Sequence, residues 1–170
     1  MGVAADRAST PLSGKEHCAI RPGEGHAAGR ALLGQMVEAL TGQPMPAIAT
    51  APRGKPYFPG SDLHFSISHS KGHVFCALSD RPIGIDAEEA DRKISPQLAE
   101  KILSPGELAQ YARAKDKNRA LLTFWVLKEA AAKCRGTGLQ GYPNQTDFSL
   151  EDPRVTTIDG CLVAVIEKEI

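Results

Sequence analysis

The stretch TFWVLKEAAAKCRGTGL, residues 123–139, predicts the most strongly constrained helix of the chain, ending at Gly136. It is apolar nearly all round, which is typical of a buried helix rather than a surface one. It nevertheless carries Lys128, Glu129 and Lys133, and buried charges need partners. Glu129 and Lys133 are four residues apart, so an ordinary helix-surface pair is the alternative interpretation. Because this helix has no other polar face, we favour a functional site.

A second informative stretch is IGIDAEE, residues 83–89, which reads as a β-strand. Alternation along the strand places Asp86 and Glu88 on one face and Ile83 and Ile85 on the other. Two carboxylates on one face repel each other unless a cation or a proton lies between them, and oxygen ligands of this kind suit Mg²⁺. The alternative is a solvated strand edge beside a turn.

The preceding segment HFSISHS, residues 64–70, predicts the first strand of a β-hairpin. Adjacent residues on a strand point to opposite faces, so Ser68 and His69 do not favour a serine–histidine nucleophile. A strand end of this composition instead fits hydrogen bonding to a phosphate. Lys55, between a glycine and a proline, and Arg30, on an upstream helix, would add positive charge to such a site.

The rest of the chain predicts an α+β protein of two similar lobes, each a small antiparallel sheet packed with helices. We place the lobes at residues 1–83 and 84–170, with the active site between them. Residues 1–26 show little periodicity and predict a poorly ordered or loosely docked entry segment. Further elements are predicted as helices at 28–40 (with Arg30 in its first turn), 96–103, from 104 and 118–135, and as strands at 74–78, 147–150, 155–158 and 161–166.

Composition restricts the class of protein. The 170 residues are 42% hydrophobic and 24% charged with zero formal net charge, which argues against nucleic acid or an anionic membrane surface as the main partner. The four cysteines form no CxxC pair, and no stretch approaches the roughly 20 apolar residues that span a bilayer. The first residues lack the pattern of a signal peptide. We therefore expect a cytoplasmic protein with reduced thiols.

Four ordered motifs carry a family resemblance: GKPYFP at 54–59, FSISHS at 65–70, IGIDAEE at 83–89 and FWVLKEAAAKCRGTGL at 124–139. Together they resemble the 4'-phosphopantetheinyl transferases of the Sfp type, over roughly residues 28–140. The holo-acyl-carrier-protein synthase branch begins near the GID strand, whereas here a whole lobe precedes it. The resemblance therefore implies the pseudo-dimeric branch, a monomer with pseudo-twofold symmetry.

The resemblance implies transfer of the phosphopantetheine arm of coenzyme A to a serine of an apo acyl or peptidyl carrier protein, with release of 3',5'-ADP. It implies Asp86, Glu88 and Glu129 as ligands of Mg²⁺, with Mn²⁺ as a possible substitute. Glu129 is implied as the base for the carrier serine and Lys133 as a contact of the pyrophosphate that assists the leaving phosphate.

Four further residues are implied as coenzyme A contacts. Ser68 and His69 would meet phosphate, with His69 and Arg30 reaching the 3'-phosphate, while Lys55 would border the adenosine. Two other functions stay open: a non-catalytic protein that binds coenzyme A or a carrier protein, and a metal-dependent hydrolase of the coenzyme A pyrophosphate.

Overall fold

The computed structural model describes residues 13–21, 23–70, 72–138 and 146–168. Eight strands and four α-helices lie in these ranges, with a short 3₁₀ turn at Pro96–Leu98. The strands are β1 (Ser13–Ala19), β2 (Ala49–Thr50), β3 (Pro56–Tyr57), β4 (His64–Ser70), β5 (His73–Ser79), β6 (Ile83–Glu89), β7 (Val155–Ile158) and β8 (Cys161–Glu167). The helices are α1 (Gly25–Thr41), α2 (Ala99–Ile102), α3 (Pro105–Arg113) and α4 (Lys117–Arg135).

Two three-stranded antiparallel sheets form the framework. The first has the order β1-β5-β4 and the second β6-β8-β7, while β2 and β3 make a separate two-stranded ribbon. Small antiparallel sheets packed against helices confirm the predicted α+β class. The division into lobes at residues 83 and 84 stays a prediction.

Three apolar clusters hold the layers together. Helix α1 packs on the first sheet through residues such as Leu33 and Phe65, and α4 packs on the second through residues such as Leu127 and Ala164. A third cluster contains side chains from both sheets, including Phe75 and Ile85. Because this last cluster draws on both sheets, neither sheet buries its apolar surface without the other.

Strands β4 and β6 are joined by serine side chains. The Ile85 N–H donates to Ser66 Oγ at 3.1 Å, and the Ala87 N–H donates to Ser68 Oγ at 3.1 Å. The constant offset shows that the two strands run in the same direction. Both serines are buried, so these bonds satisfy β6 amides that do not face its sheet partner β8.

Helix α4 approaches β6 so closely that only glycine fits at residue 84. A Cβ at Gly84 would lie 2.0 Å from the Ala130 oxygen and 2.4 Å from the Cys134 nitrogen. The helix begins at the N-cap Asp116, whose carboxylate accepts the Arg119 N–H, and ends at Gly136 in the left-handed conformation with φ 71°. The predicted helix end at Gly136 is confirmed.

The amino-terminal prediction was wrong in part. Residues 13–19 form β1, an edge strand paired along its length with β5, and α1 begins at Gly25 rather than at residue 28. Arg30 therefore lies in the second turn of α1, not the first. Residues 1–12 of the predicted entry segment lie outside the described residues.

The predicted strand at 147–150 was also wrong. These residues form no ladder, because their backbone groups bond to side chains of α3. The Phe148 N–H donates to Glu107 Oε1 at 2.9 Å, and Gln110 bonds both the Phe148 carbonyl and the Leu150 N–H. The other predicted helices and strands are present, within a few residues at their ends, whereas the short strands β2 and β3 were not predicted.

Candidate active site

A cavity of about 680 Å³ lies where the start of α1, the β2–β3 ribbon, β4, β6 and α4 meet. The structure brings every site residue predicted from the sequence to the wall of this cavity. They are Arg30, Lys55, Ser68, His69, Asp86, Glu88, Glu129 and Lys133. Charged groups from distant parts of the chain therefore line one cavity.

A ladder of side-chain contacts connects β6 to α4 along one face of the helix. Lys133 Nζ donates to Asp86 Oδ1 at 2.7 Å, and Trp125 Nε1 donates to Glu88 Oε1 at 3.2 Å. At the start of the helix, the Asn118 amide bonds backbone groups of residues 92 and 94. Residue numbers along β6 increase in the direction in which those along α4 decrease, so the strand and the helix are antiparallel. Asp86 and Glu88 therefore contact different turns of the helix.

Asp86 is the most buried of the three carboxylates at the cavity, with 6% of the residue exposed. Its Oδ1 atom accepts from Lys133 and from the Ser68 hydroxyl, whereas Oδ2 is buried without a hydrogen-bond partner. Burial raises the pKa of this carboxyl and the neighbouring Glu88 charge raises it further, while the Lys133 charge opposes the shift. An orphaned carboxylate oxygen at a cavity wall is a site that favours a cation or a proton.

Glu129, on α4, lines the same cavity and is affected by the charges of Asp86, Lys133 and Glu88. Burial raises the pKa of the Glu129 carboxyl, and the charges of Asp86 and Glu88 add to that effect. Lys133 bonds Asp86 instead of forming the helix-surface pair with Glu129 that was the alternative interpretation. A carboxylate with a raised pKa in a cavity is a candidate proton acceptor.

Lys55 ties the loop after β2 to the carboxyl end of α4. Its Nζ donates to the Cys134 carbonyl at 2.8 Å and lies 3.5 Å from the Ile83 carbonyl. Burial lowers the pKa of this ammonium group. The contact places a cation at the negative end of the helix dipole while the side chain still lines the cavity.

The cavity wall formed by α1 and β4 carries further basic groups. His69 and Arg30 are exposed, and the His69 ring lies 6.2 Å from the ring of His26. His26 and Arg53, which the sequence did not single out, also line the cavity. Their local sequence gives no periodic or motif signal, so only the fold reveals them.

Arg92 is another residue that the sequence did not single out. Its guanidinium forms an ion pair with Glu88 Oε1, the same oxygen that accepts from Trp125. The i,i+4 spacing of Glu88 and Arg92 across the end of a strand is not a recognised pairing pattern. The contact depends on the turn that follows β6 and on Asn118, which bonds the Arg92 carbonyl.

Lys128 points away from the cavity. Its Nζ forms an ion pair with Glu107 Oε2 at 2.7 Å, and both side chains are buried, with 1% and 0% exposed. It also donates to the Thr146 carbonyl at 3.0 Å. Lys128 therefore fixes α4 against α3 and residues 146–148, a structural role that the sequence left unassigned.

The carboxylates suit a hard divalent cation in kind, although they are not arranged as a finished site. Among the residues that the structure describes, no three His, Cys, Asp or Glu side chains are close enough together to hold a metal ion. Lys133 and Arg92 each occupy one carboxylate oxygen. The unpartnered Asp86 Oδ2 and the mutual repulsion of three acidic groups nevertheless fit Mg²⁺ coordination through oxygen.

Comparison with known proteins gives a family match over residues 82–162, to the model described as the 4'-phosphopantetheinyl transferase superfamily. Over these residues, just under half of its length, the chain is similar to this superfamily. The resemblance to Sfp-type members is confirmed by three curated relatives that carry the name 4'-phosphopantetheinyl transferase.

Sfp of Bacillus subtilis is 40% identical over 95 residues, covering 54% of this chain and 42% of Sfp. The gsp protein of Aneurinibacillus migulanus is 37% identical, covering 51% of this chain and 36% of its own length. The psf-1 protein of Bacillus pumilus is 31% identical over 134 residues, or 75% of this chain and 57% of psf-1. The chain thus spans roughly half the length of these transferases.

The matched region of the transferase model includes the acidic side of the cavity. Asp86, Glu88, Glu129 and Lys133 all lie within residues 82–162, whereas Arg30, Lys55, Ser68 and His69 precede it. None of the helices in the described ranges is long and apolar enough to cross a membrane.

Proposed function

We propose that this chain transfers the 4'-phosphopantetheine arm of coenzyme A to a serine of an apo acyl or peptidyl carrier protein, releasing 3',5'-ADP. The observation that carries the proposal is the convergence of Asp86, Glu88, Glu129 and Lys133 on one cavity within the family match. Basic groups on the opposite wall supply the complementary charge for an anionic substrate.

The cavity has room and charge for a nucleotide. Arg30, His69 and Lys55 would bind the phosphates and the adenosine part of coenzyme A, leaving the pyrophosphate beside Lys133. An Mg²⁺ ion held by Asp86, Glu88 and Glu129 would neutralise charge on the pyrophosphate, and Mn²⁺ has the same oxygen preference. The role of Lys133 is to hold the bridging region of the pyrophosphate and to neutralise the departing phosphate.

The reaction is an in-line phosphoryl transfer. The carrier serine oxygen bonds to the phosphorus that bears the pantetheine arm, and the bond from that phosphorus to the bridging oxygen breaks. The bridging oxygen leaves on 3',5'-ADP, and the serine proton passes to Glu129. The raised pKa of the Glu129 carboxyl supports this assignment, since a stronger base accepts a hydroxyl proton more readily.

We place the reaction between an amino-terminal lobe, residues 1–83, and a carboxy-terminal lobe, residues 84–170, of a monomer with pseudo-twofold symmetry. Four free cysteines, at positions 18, 76, 134 and 161, fit a cytoplasmic protein.

Nucleotide release separates this function from the two alternatives. Purified protein is incubated with coenzyme A and Mg²⁺, with and without an apo carrier protein, and 3',5'-ADP is measured by chromatography. Transfer predicts release only when the carrier is present, whereas pyrophosphate hydrolysis predicts release without it. Binding of coenzyme A in calorimetry without release in either reaction would support a non-catalytic protein and contradict the proposal.

A further inference from the structure

Ser68 lies at the junction of β4, β6 and α4, with 5% of the residue exposed. Its hydroxyl donates to Asp86 Oδ1 at 3.1 Å, and it accepts from the Ala87 N–H at 3.1 Å and from Lys133 Nζ at 3.2 Å. A hydroxyl has one donor and two acceptor positions, so these three contacts use its full capacity. A phosphate would have to displace one of them in order to bind this oxygen.

The contacts of Ser68 connect groups that come from three elements. Asp86 and Lys133 bond each other at 2.7 Å, and each also bonds the Ser68 hydroxyl. The resulting triangle leaves Oδ2 as the Asp86 oxygen without a hydrogen-bond partner. Rotation of the carboxylate would break the bonds to Oδ1, so Ser68 restricts the direction in which Oδ2 points.

We propose that Ser68 is a positioning residue, which orients Asp86 and Lys133 for the reaction and does not itself bind phosphate. This inference rests on the proposed function, because the reaction is the phosphopantetheine transfer proposed above. The hydrogen bonds of Ser68 to Asp86 and Lys133 do not depend on any substrate. It also replaces the role that the family resemblance implied for this serine.

Ser66 provides a matched control. It is also buried, it lies two residues earlier on β4, and its hydroxyl accepts the Ile85 N–H at 3.1 Å in the same way. Ser66→Ala and Ser68→Ala each remove one bond between β4 and β6. Within the described residues, Ser68 and not Ser66 forms side-chain hydrogen bonds to Asp86 and Lys133, so of the two substitutions only Ser68→Ala removes such bonds.

The first test is a pair of double-mutant cycles in urea unfolding, measured without substrate or metal. Ser68→Ala combined with Asp86→Ala is expected to show a coupling of about tenfold in the unfolding constant, as for a hydrogen bond to a charged group. Ser66→Ala with Asp86→Ala should show coupling within about twofold. Equal coupling in the two cycles would overturn the proposal. If Ser68→Ala does not fold, Ser68→Cys keeps the size of the side chain with weaker hydrogen bonds and replaces it in the cycle.

The second test is steady-state transfer to an apo carrier protein. Ser68→Ala should lower kcat about tenfold and leave the KM for coenzyme A within about twofold, while Ser66→Ala keeps both near the wild-type values. A raised KM with unchanged kcat would identify a direct substrate contact and overturn the proposal. A wild-type protein without transfer activity would contradict the proposed function, and the unfolding cycles would still determine whether Ser68 is coupled to Asp86.

Discussion

At the scale of single residues, the site depends on acidic groups that are held at unequal depth. Asp86 is buried and bonded through one oxygen, and Glu88 is bonded by Trp125 and Arg92. Burial raises the pKa of Glu129, the charges of Asp86 and Glu88 raise it further, and the charge of Lys133 opposes the shift. Of the three carboxylates, Glu129 is the one for which the structure records no hydrogen bond within the described residues. That arrangement suits it to accept a proton.

Glu129→Gln is therefore expected to lower kcat for transfer by about 10²- to 10⁴-fold, the usual contribution of a general base. The protein should remain folded, because the amide removes a charge whose burial and repulsion are unfavourable. Steady-state kinetics with an apo carrier protein measure the loss. Glu89→Gln, in the acidic cluster but absent from the wall of the 680 Å³ cavity, should keep near-normal activity. A Glu129→Gln variant with normal kcat would contradict the assigned role.

The sequence predicted the identity of these residues better than their contacts. Alternation along IGIDAEE places Asp86 and Glu88 on one face, and the buried helix requires partners for its charges. The partner of Lys133 could not be predicted, because Asp86 is 47 positions away in the chain. His26, Arg53 and Arg92 were missed since no local pattern distinguishes them from surface residues.

At the scale of elements, the contact of β6 with α4 is the feature that positions the carboxylates. The backbone of α4 occupies the space that a side chain at residue 84 would need. Because the helix lies this close to the strand, Lys133 and Trp125 bond Asp86 and Glu88. Removing the close approach would separate the acidic groups on the strand from those on the helix.

Gly84→Ala should lower the free energy of unfolding by about 3 kcal/mol or more, because its Cβ would overlap backbone atoms that cannot move independently. Urea denaturation measures the change. Gly34→Ala is the control, since its Cβ would have Met45 Sδ at 4.0 Å as its nearest contact, and in a helix interior it should stabilise by about 0.5–1 kcal/mol. Similar effects of the two substitutions would show that β6 and α4 are not held in this contact.

The buried pair of Lys128 and Glu107 fixes α3 against α4. Lys128→Met preserves the length of the side chain but leaves the Glu107 carboxylate buried without its cation, so we expect a loss of about 3–5 kcal/mol in the free energy of unfolding. The exposed Lys101→Met variant should change it by less than about 0.5 kcal/mol. A loss no larger than that of Lys101→Met would contradict a structural role for the pair.

Elements were predictable where capping and periodicity agree. The helix predicted from residue 104 begins there, because Ser104 is its N-cap and Glu107 completes a capping box, and α4 ends at its predicted glycine. Strand β1 was missed because its pairing with β5 spans more than 50 residues and its own alternation is weak. Residues 147–150 resemble a strand in composition, yet α3 side chains take their backbone hydrogen bonds.

At the scale of the whole molecule, the shared apolar cluster and the serine bonds join the two sheets into one structure. We therefore expect amides in the centres of β5 and β8 to exchange with solvent through the same global unfolding. Hydrogen exchange measured by mass spectrometry should give equal opening free energies for the two strands, and both should fall together in Gly84→Ala. Exchange of β5 at a much lower free energy than β8 would show that the sheets open separately.

The convergence of eight predicted residues on one cavity supports a transferase active site, although the family model covers only residues 82–162. The decisive measurement is the intact mass of an apo carrier protein after incubation with the purified protein, coenzyme A and Mg²⁺. We predict that the carrier gains the mass of one phosphopantetheine arm on a serine, and that it does not do so with Glu129→Gln in the same time. No mass gain on several carriers that another phosphopantetheinyl transferase modifies under the same conditions would contradict the proposed function.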